Sequence, residues 1–383
     1  MSGASPDLDL SQVSTPLLGT VVAVQANFYQ VQLDSRLGGT SDSNKSLELK
    51  SPSSVATGES QNIQLLCTRR TRLKKIGKRV MVGDRVLVEE PDWVDGRGAI
   101  SDVLPRKTLL DRPPVANAEQ ILLVFALVDP PLDPYQLTRF LVKAESTGLD
   151  VCLCLNKKDL VPDEELEEWR NHLKDWGYEP VFISVHTHQG VKGLSKQLSQ
   201  KVTILAGPSG VGKSSLINQL IPNVRQRVAE VSGKLSRGRH TTRHVELFEL
   251  PGGGLLADTP GFNQPDIDCS PEELTQYFPE ARQRLAANHC HFSNCLHRDE
   301  PNCAVRGDWE RYGYYLDLLE DAIAWKEHLN QQADPESTLK AKNKGKGQTQ
   351  YEPKLESKKY RRLSRRAQQQ ALDEMYKDRD TDL

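Results

Sequence analysis

Hydrophobic and polar positions along this chain fall into two regimes. Over residues 17–104 the apolar runs are short and often alternate with polar residues, as in "GTVVAVQANFYQVQL", "IQLLCTRR", "RVMVGDRVLVEE" and "GAISDVL", with turn formers between them. That pattern predicts several short strands folded into a small, OB-like β-barrel. A stretch at 36–62, rich in Ser, Gly and Thr, predicts a long insertion between two of these strands. From about residue 105 to 265 the pattern changes. Buried-strand runs ("QILLVFALV", "DVCLCLN", "PVFISV", "KVTILAG", "HVELFEL", "GGLLADTPG") are separated by amphipathic helical segments ("PYQLTRFLVKAESTG", "DEELEEWRNHLKDWG", "KSSLINQLI"). Alternation of this kind calls for a parallel sheet covered by helices on both faces.

Composition narrows the class. A chain of 383 residues with a hydrophobic fraction of 37% is long enough for two or three domains and suits a soluble protein with solvated segments. The longest apolar run, "ILLVFALV" at 121–128, is far short of the roughly 20 residues a membrane-spanning helix needs. The opening "MSGASPDLDL" has neither the basic start nor the apolar stretch of a secretory signal. Residues 1–16 read as a disordered N-terminus, and the expected location is the cytoplasm. The net charge of −2 hides segregation. Residues 69–79 carry seven basic side chains and no acid, and residues 338–370 carry eleven Lys or Arg against two Glu. Such clusters fit a polyanionic partner or a solvated surface.

The stretch "GPSGVGKSS" has the spacing GxxxxGKS, with an apolar strand before it and a helix after it. Gly207, Pro208, Ser209, Gly210, Val211 and Gly212 form the small loop whose backbone N–H groups surround phosphates. Lys213 reaches the β- and γ-phosphates, the Ser214 hydroxyl ligates Mg²⁺, and Ser215 follows at the helix start. About fifty residues earlier, "NKKD" (Asn156, Lys157, Lys158, Asp159) follows a buried strand. The Asp159 carboxylate accepts two hydrogen bonds from the ring N–H and exocyclic amine of guanine, a donor pair that adenine lacks, while Asn156 holds the loop. "FISVHT" ends another strand, so backbone groups of Ser184 and Val185 are expected to close over the base. GTP and GDP are the nucleotides implied.

Beyond the phosphate loop, "DTPG" ends an apolar strand, with Asp258 placed to hold Mg²⁺ through water and the Gly261 N–H to meet a γ-phosphate. "SGKLSRGRHTTRH" at 232–244 is a candidate switch in which Thr241 or Thr242 completes the Mg²⁺ shell. Phe262 stands where Ras-like enzymes carry a water-positioning glutamine, and it cannot hydrogen-bond water. His240 is the candidate to take over that task. Further on, "HCHFSNCLHRDEPNCAV" gives Cys290, Cys295, His297 and Cys303, three thiolates and an imidazole in one short loop, the donor set of a closed structural Zn²⁺ site. Disulfides are the rival reading and suit a cytoplasmic chain poorly. His289 and His291 flank the first cysteine as alternative imidazoles.

The order "NKKD", "GPSGVGKSS", "GRHTT", "DTPGF", after a barrel and before this Cys/His motif, resembles the circularly permuted ribosome-biogenesis GTPases of the RsgA type over nearly the whole chain. The resemblance implies a multidomain fold: the barrel over 17–104, a permuted α/β P-loop GTPase domain over 105–265, a helical zinc-binding domain over 266–335 and a basic tail over 336–383. It implies GTP hydrolysis coupled to late maturation of the small ribosomal subunit, with barrel and zinc domain on ribosomal RNA, no membrane and a monomeric chain. It also supports the nucleotide roles of Asn156, Asp159, Lys213 and Ser214 and the four zinc ligands. Two rival readings remain: an RNA-binding assembly protein whose nucleotide site only stabilises the fold, and a permuted GTPase of the large subunit. This chain departs from the family's pattern at Arg243, where a third threonine is usual, and in the length of the 36–62 insertion. Permutation is physically cheap, since old ends can be joined by a short connection, expected at 190–200, and new ends opened at the surface. The new end after "DTPG" tethers the γ-phosphate sensor to the zinc domain, and on that ground GTP is expected to reorient that domain.

Overall fold

The structure, a computed structural model, describes residues 16–34, 63–111, 113–221, 245–258, 266–331, 339–343 and 349–353. The 36–62 insertion and the switch at 232–244 lie outside the described residues, as does the segment 259–265. By compactness the chain divides after Ala322.

The first five strands are β1 (Leu17–Gln25), β2 (Phe28–Leu33), β3 (Gln64–Arg69), β4 (Arg85–Asp92) and β5 (Arg97–Val103). They pair in the order β1-β2-β3-β5-β4, and β4 pairs back onto β1, so the sheet closes on itself. β3 and β5 run parallel; a parallel neighbour demands a crossover, and the short helix α1 (Thr71–Lys75) lies on the connection between β3 and β4. The period of two seen in the sequence points Val31, Leu65, Cys67, Val86, Val88 and Ile100 inward, and Leu73 of α1 packs with them. This is the five-stranded closed barrel of the OB type.

The barrel is fused to the α/β region. Asp84, fully buried, accepts from Arg106 Nε at 2.7 Å and from the Met81 amide at 2.7 Å. Val22 and Val82 share a core with Val115, Val245 and Leu247. A hairpin of β6 (Leu109–Asp111) and β7 (Pro114–Ala116) makes the passage.

The second sheet holds β8 (Gln120–Ala126), β9 (Asp150–Asn156), β10 (Val181–Phe182), β11 (Val202–Ala206), β12 (Glu246–Glu249) and β13 (Leu255–Asp258), in the order β10-β9-β8-β11-β13-β12. Every residue of β8 is buried because both faces are covered. Ile121, Leu123 and Phe125 meet Leu137, Phe140 and Leu141 of α2 (Pro134–Glu145) and Leu173 of α3 (Asp163–Asp175). Leu122, Val124 and Ala126 meet Leu194 and Leu198 of α4 (Val191–Leu198) and Leu216, Ile217 and Leu220 of α5 (Lys213–Leu220).

Two details depart from the sequence reading. β12 is antiparallel to β13, because the connection between them is a tight turn, closed by Leu250 N–H on the Gly254 carbonyl at 3.0 Å, too short for a crossover. β10 stops after two residues, since the Ser184 amide leaves the ladder for the Gln189 carbonyl at 3.0 Å.

After the sheet come α6 (Pro279–Ala287), an irregular loop and α7 (Tyr312–Gln331). The second unit, from Ile323 onward, includes a two-stranded antiparallel hairpin of β14 (Leu339–Asn343) and β15 (Thr349–Pro353), where the sequence pattern predicts only a basic tail. No helix among the described residues is long and apolar enough to cross a membrane.

Candidate nucleotide and metal sites

Strands β8, β9, β11 and β13 all deliver their carboxyl ends to one edge of the sheet, where doubly wound folds bind ligands. The loop 207–212 leaves β11 there and enters α5. Gly207 has φ +138° and lies so close to β8 that a Cβ would stand 2.1 Å from the Val124 carbonyl oxygen. Gly212 has φ +99°, and a Cβ on it would stand 2.4 Å from Asn156 Nδ2. No other residue type fits either place, which fixes the loop's path. Gly207, Pro208 and Val211 are buried, whereas Ser209, Gly210, Ser214 and Ser215 are exposed at the loop surface and helix start. Lys213 Nζ donates to the carbonyls of Gly207 at 2.8 Å and Pro208 at 2.6 Å, so its ammonium is held at the mouth of the loop. The α5 N-terminus adds a helix dipole whose positive end suits phosphate oxygens.

Asn156, at the end of β9 and only 3% exposed, joins three segments. Its Nδ2 donates to the Val211 carbonyl at 2.9 Å, and its Oδ1 accepts from the Val185 amide at 3.1 Å. Lys157 is left-handed at φ +65° and turns the chain into a single 3-10 turn, Lys158–Leu160. The Lys158 amide donates to the Ile183 carbonyl at 3.1 Å. Asp159 sits in that turn with an exposed side chain, as a carboxylate that meets a base must. The Ser184 amide bonds Gln189 and the Val185 amide bonds Asn156, so these two donors fix their own loop. Of the backbone groups expected to close over the base, these two amides are thus already engaged with protein partners.

Sequence reasoning missed one residue that touches these loops, Asp129. Lys157 Nζ is 3.5 Å from Asp129 Oδ2 and also bonds the Asp129 carbonyl, and Pro130 lies against the phosphate-loop tip near Gly210. The available signal was the cluster "VDPPLD" at the carboxyl end of β8. Asp258 ends β13 with its backbone opposite Leu205 of β11, hence beside the phosphate loop. His240, Thr241, Thr242, Gly261 and Phe262 lie outside the described residues.

The Cys/His loop is equally local. His297 Nδ1 stands 3.5 Å from Cys290 Sγ, 3.4 Å from Cys295 Sγ and 3.2 Å from Cys303 Sγ, and the Cys290 and Cys303 sulfurs are 3.9 Å apart. All seven cysteines are free, so these sulfurs converge without bonding one another. A tetrahedron with its centre about 2.3 Å from sulfur and about 2.0 Å from nitrogen has edges of about 3.8 Å between sulfurs and about 3.5 Å from sulfur to nitrogen. The four donors fit that figure. His289 and His291 are not among the converging groups.

Burial pushes the Cys295 thiol up to about 12, a penalty on the thiolate that a divalent cation offsets, and holds His297 below its ordinary value, which keeps the imidazole in the neutral form that ligates. Amides of Ala304 and Arg306 point at Cys290 and Cys303 sulfur, at 3.4 and 3.3 Å. Burial would raise Glu300, but amide donors including those of Leu296 and Arg298 outweigh it and bring the carboxyl down to about 2. Tyr312 and Tyr315 hydroxyls donate to the carbonyls of His297 and Leu296, each at 2.8 Å.

The barrel, the strand order and the joined phosphate and guanine loops define a circularly permuted P-loop GTPase. Counted from β11 as first strand, the sheet reads 6-5-4-1-3-2, and α4 followed by a turn at 199–201 joins sixth strand to first. A family model described as RsgA GTPase matches residues 103–268. The small ribosomal subunit biogenesis GTPase RsgA 1 of a Nostoc species is 68% identical over 364 residues, covering 94% of this chain and 97% of that protein. The mitochondrial RsgA 1 of Arabidopsis thaliana is 42% identical over 409 residues, covering 99% and 92%. Among solved structures, YjeQ from Thermotoga maritima superposes with a TM-score of 0.62 at 31% identity, over 80% of this chain and 99% of that one. YloQ, described as a circularly permuted GTPase, gives 0.63 at 27% identity over 82% and 97%. The chain belongs to the RsgA GTPase family.

Proposed function

We propose that this chain hydrolyses GTP to GDP and phosphate in the cytoplasm as a monomer, at a late step in maturation of the small ribosomal subunit, with the barrel and the Cys/His loop on ribosomal RNA. The observation that carries the nucleotide half is the Asn156 side chain, which ties the phosphate loop to the two guanine-side loops in one hydrogen-bonded junction. A site meant only to fill space has no use for that junction beside a GKS loop, Asp258 and a threonine pair.

In this reading the 207–215 loop holds the phosphates. Lys213 leaves its loop carbonyls for the β- and γ-phosphates, Ser214, Asp258 and Thr241 or Thr242 hold Mg²⁺, and Gly261 meets the γ-phosphate. Asp159 selects guanine, with Lys157 bracing the loop through Asp129. Cys290, Cys295, His297 and Cys303 hold one structural Zn²⁺ per chain. The working division is barrel 17–104, GTPase domain 105–265, zinc domain 266–335 and basic tail 336–383. The names of the relatives support the small subunit as partner, and the basic run at 69–79 on the barrel supports contact with a polyanion.

The test is co-sedimentation of the full chain with purified small or large subunits in the presence of a non-hydrolysable GTP analogue. Retention by small subunits alone, weakened as salt rises, is the expected result. Equal retention by large subunits, or none by either, refutes the assignment.

A further inference from the structure

Arg311 is fully buried, yet it belongs neither to the nucleotide site nor to the metal-ligand set. Its guanidinium lies 4.6 Å from the ring centre of Trp176, 5.0 Å from that of Phe278 and 5.7 Å from that of Tyr178. Nε donates to Glu280 Oε1 at 2.7 Å, and Nη2 donates to Glu280 Oε2. Trp176 and Tyr178 form the turn between α3 and β10, while Phe278, Glu280 and Arg311 belong to the segment that carries the Cys/His loop. The residue thus locks two parts of the chain together.

The lock is reinforced around its rim. Trp176 Nε1 donates to Glu310 Oε2 at 2.8 Å, and His172 Nε2 is 2.6 Å from Glu310 Oε1. Glu145 of α2 accepts from the Tyr178 hydroxyl at 3.0 Å and from Arg282 at 2.8 Å. Gly177 approaches so closely that a Cβ would stand 2.7 Å from Pro279 Cβ.

On one side, the contacts run to the metal loop. Phe278 packs edge-on to Trp309 and Tyr315, with centroids 5.5 Å apart in each pair. Tyr312 and Tyr315, one and four residues beyond Arg311, hold the carbonyls of His297 and Leu296. On the other side, the gripped turn is the far end of α3 and β10. The near ends of those two elements are the guanine loop at 156–160 and the loop at 184–189. A loop of three cysteines and a histidine folds when its metal binds and loosens when the metal leaves, which supplies a two-state element at one end of a contiguous packed network.

We infer that Arg311 couples metal occupancy of the Cys290/Cys295/His297/Cys303 loop to guanine-nucleotide affinity. The proposal rests on the zinc and GTP readings above. It also revises where the zinc domain meets the GTPase domain. The tether after "DTPG" is a chain connection, whereas the packed contacts of this segment run to α2, through Lys143–Asp268 and Arg139–Asp321, and to the turn after α3, so metal and base sense one another through α3 and β10.

The experiment uses the full chain with magnesium in excess. GDP affinity is measured by fluorescent-nucleotide titration before and after removal of zinc with a zinc-selective chelator, metal content being followed by elemental analysis. Removal of zinc is expected to weaken GDP binding about fivefold or more and to speed hydrogen exchange in the α3 C-terminal turn. In Arg311→Met, or in the milder Glu310→Gln should that variant not fold, the zinc-loaded protein is expected to bind GDP weakly already, and stripping it to change affinity less than about twofold. Zinc present and then removed with unchanged GDP affinity overturns the coupling and leaves the zinc reading intact. Absence of zinc from the purified chain overturns both.

Discussion

Asn156 Nδ2 donates to the carbonyl of Val211 across 2.9 Å, a bond between residues 55 apart in the chain that joins the guanine loop to the phosphate loop. With Oδ1 engaged by the Val185 amide, one side chain sets the separation of the base-reading and phosphate-reading surfaces. Asn156→Ala leaves a carbonyl and an amide without partners, at a cost of about 1–3 kcal/mol. GTP and GDP are expected to bind about tenfold or more weakly, by titration with a fluorescent nucleotide. Asn156→Asp keeps the acceptor for Val185 but sets a buried carboxylate oxygen against the Val211 carbonyl, so it should bind at least as weakly as the alanine variant. Wild-type affinity in the alanine variant would remove the junction from the account of binding.

Asp159 leads to a prediction about the base itself. Its carboxylate is exposed on the turn Lys158–Leu160, where it can meet two donors on guanine. Asp159→Asn replaces one acceptor by a donor, so GTP affinity should fall while xanthosine triphosphate, whose donor pattern suits the amide, gains. Competition of the two nucleotides against one fluorescent probe measures the exchange. An unchanged preference for GTP would mean that another group reads the base.

How much of this was legible beforehand depended on whether the signal was local. The loop at 207–214, the guanine loop and the Cys/His loop are each set by spacing within some fifteen residues, and the barrel strands by alternation. The closing of the barrel by β4 on β1 and the bridge between Ala23 and Glu246 join segments brought together only by the fold, and nothing in either segment names its partner. Arg311 is the clearest case. In "DWERYGYY" it reads as one more solvated charge, and its burial follows from aromatic rings contributed by Trp176, Tyr178 and Phe278. The tight turn between β12 and β13 and the early end of β10 likewise depend on hydrogen bonds to Gly254 and Gln189 that no hydropathy pattern records.

The Cys/His loop gives a third test. With zinc bound as proposed, metal binding free energy would be local folding free energy, because the segment between Cys290 and Cys303 has no regular secondary structure and few buried apolar groups. Cys295→Ser should lower zinc content well below one per chain and expose the loop to proteolysis, while far-UV circular dichroism of the rest of the chain changes little. Elemental analysis of freshly purified wild-type protein showing no zinc would end the claim.

The last prediction concerns hydrolysis. Phe262 stands where a water-orienting glutamine is found in Ras-like enzymes, and a phenyl ring can neither donate to nor accept from the attacking water. The free chain is therefore expected to turn over GTP slowly. Ordering of a switch and added positive charge from a partner are worth about 10³–10⁵ in related reactions, so small subunits should stimulate strongly by ordering the "GRHTT" segment around His240 and Mg²⁺. Single-turnover hydrolysis with small subunits, large subunits and neither separates the cases. Fast turnover of the free chain with no small-subunit effect would refute the coupling. If stimulation persists in His240→Ala, the coupling stands and the water must be held by another group. If it falls by about 10² or more while analogue-dependent co-sedimentation is kept, His240 acts in the chemical step rather than in binding.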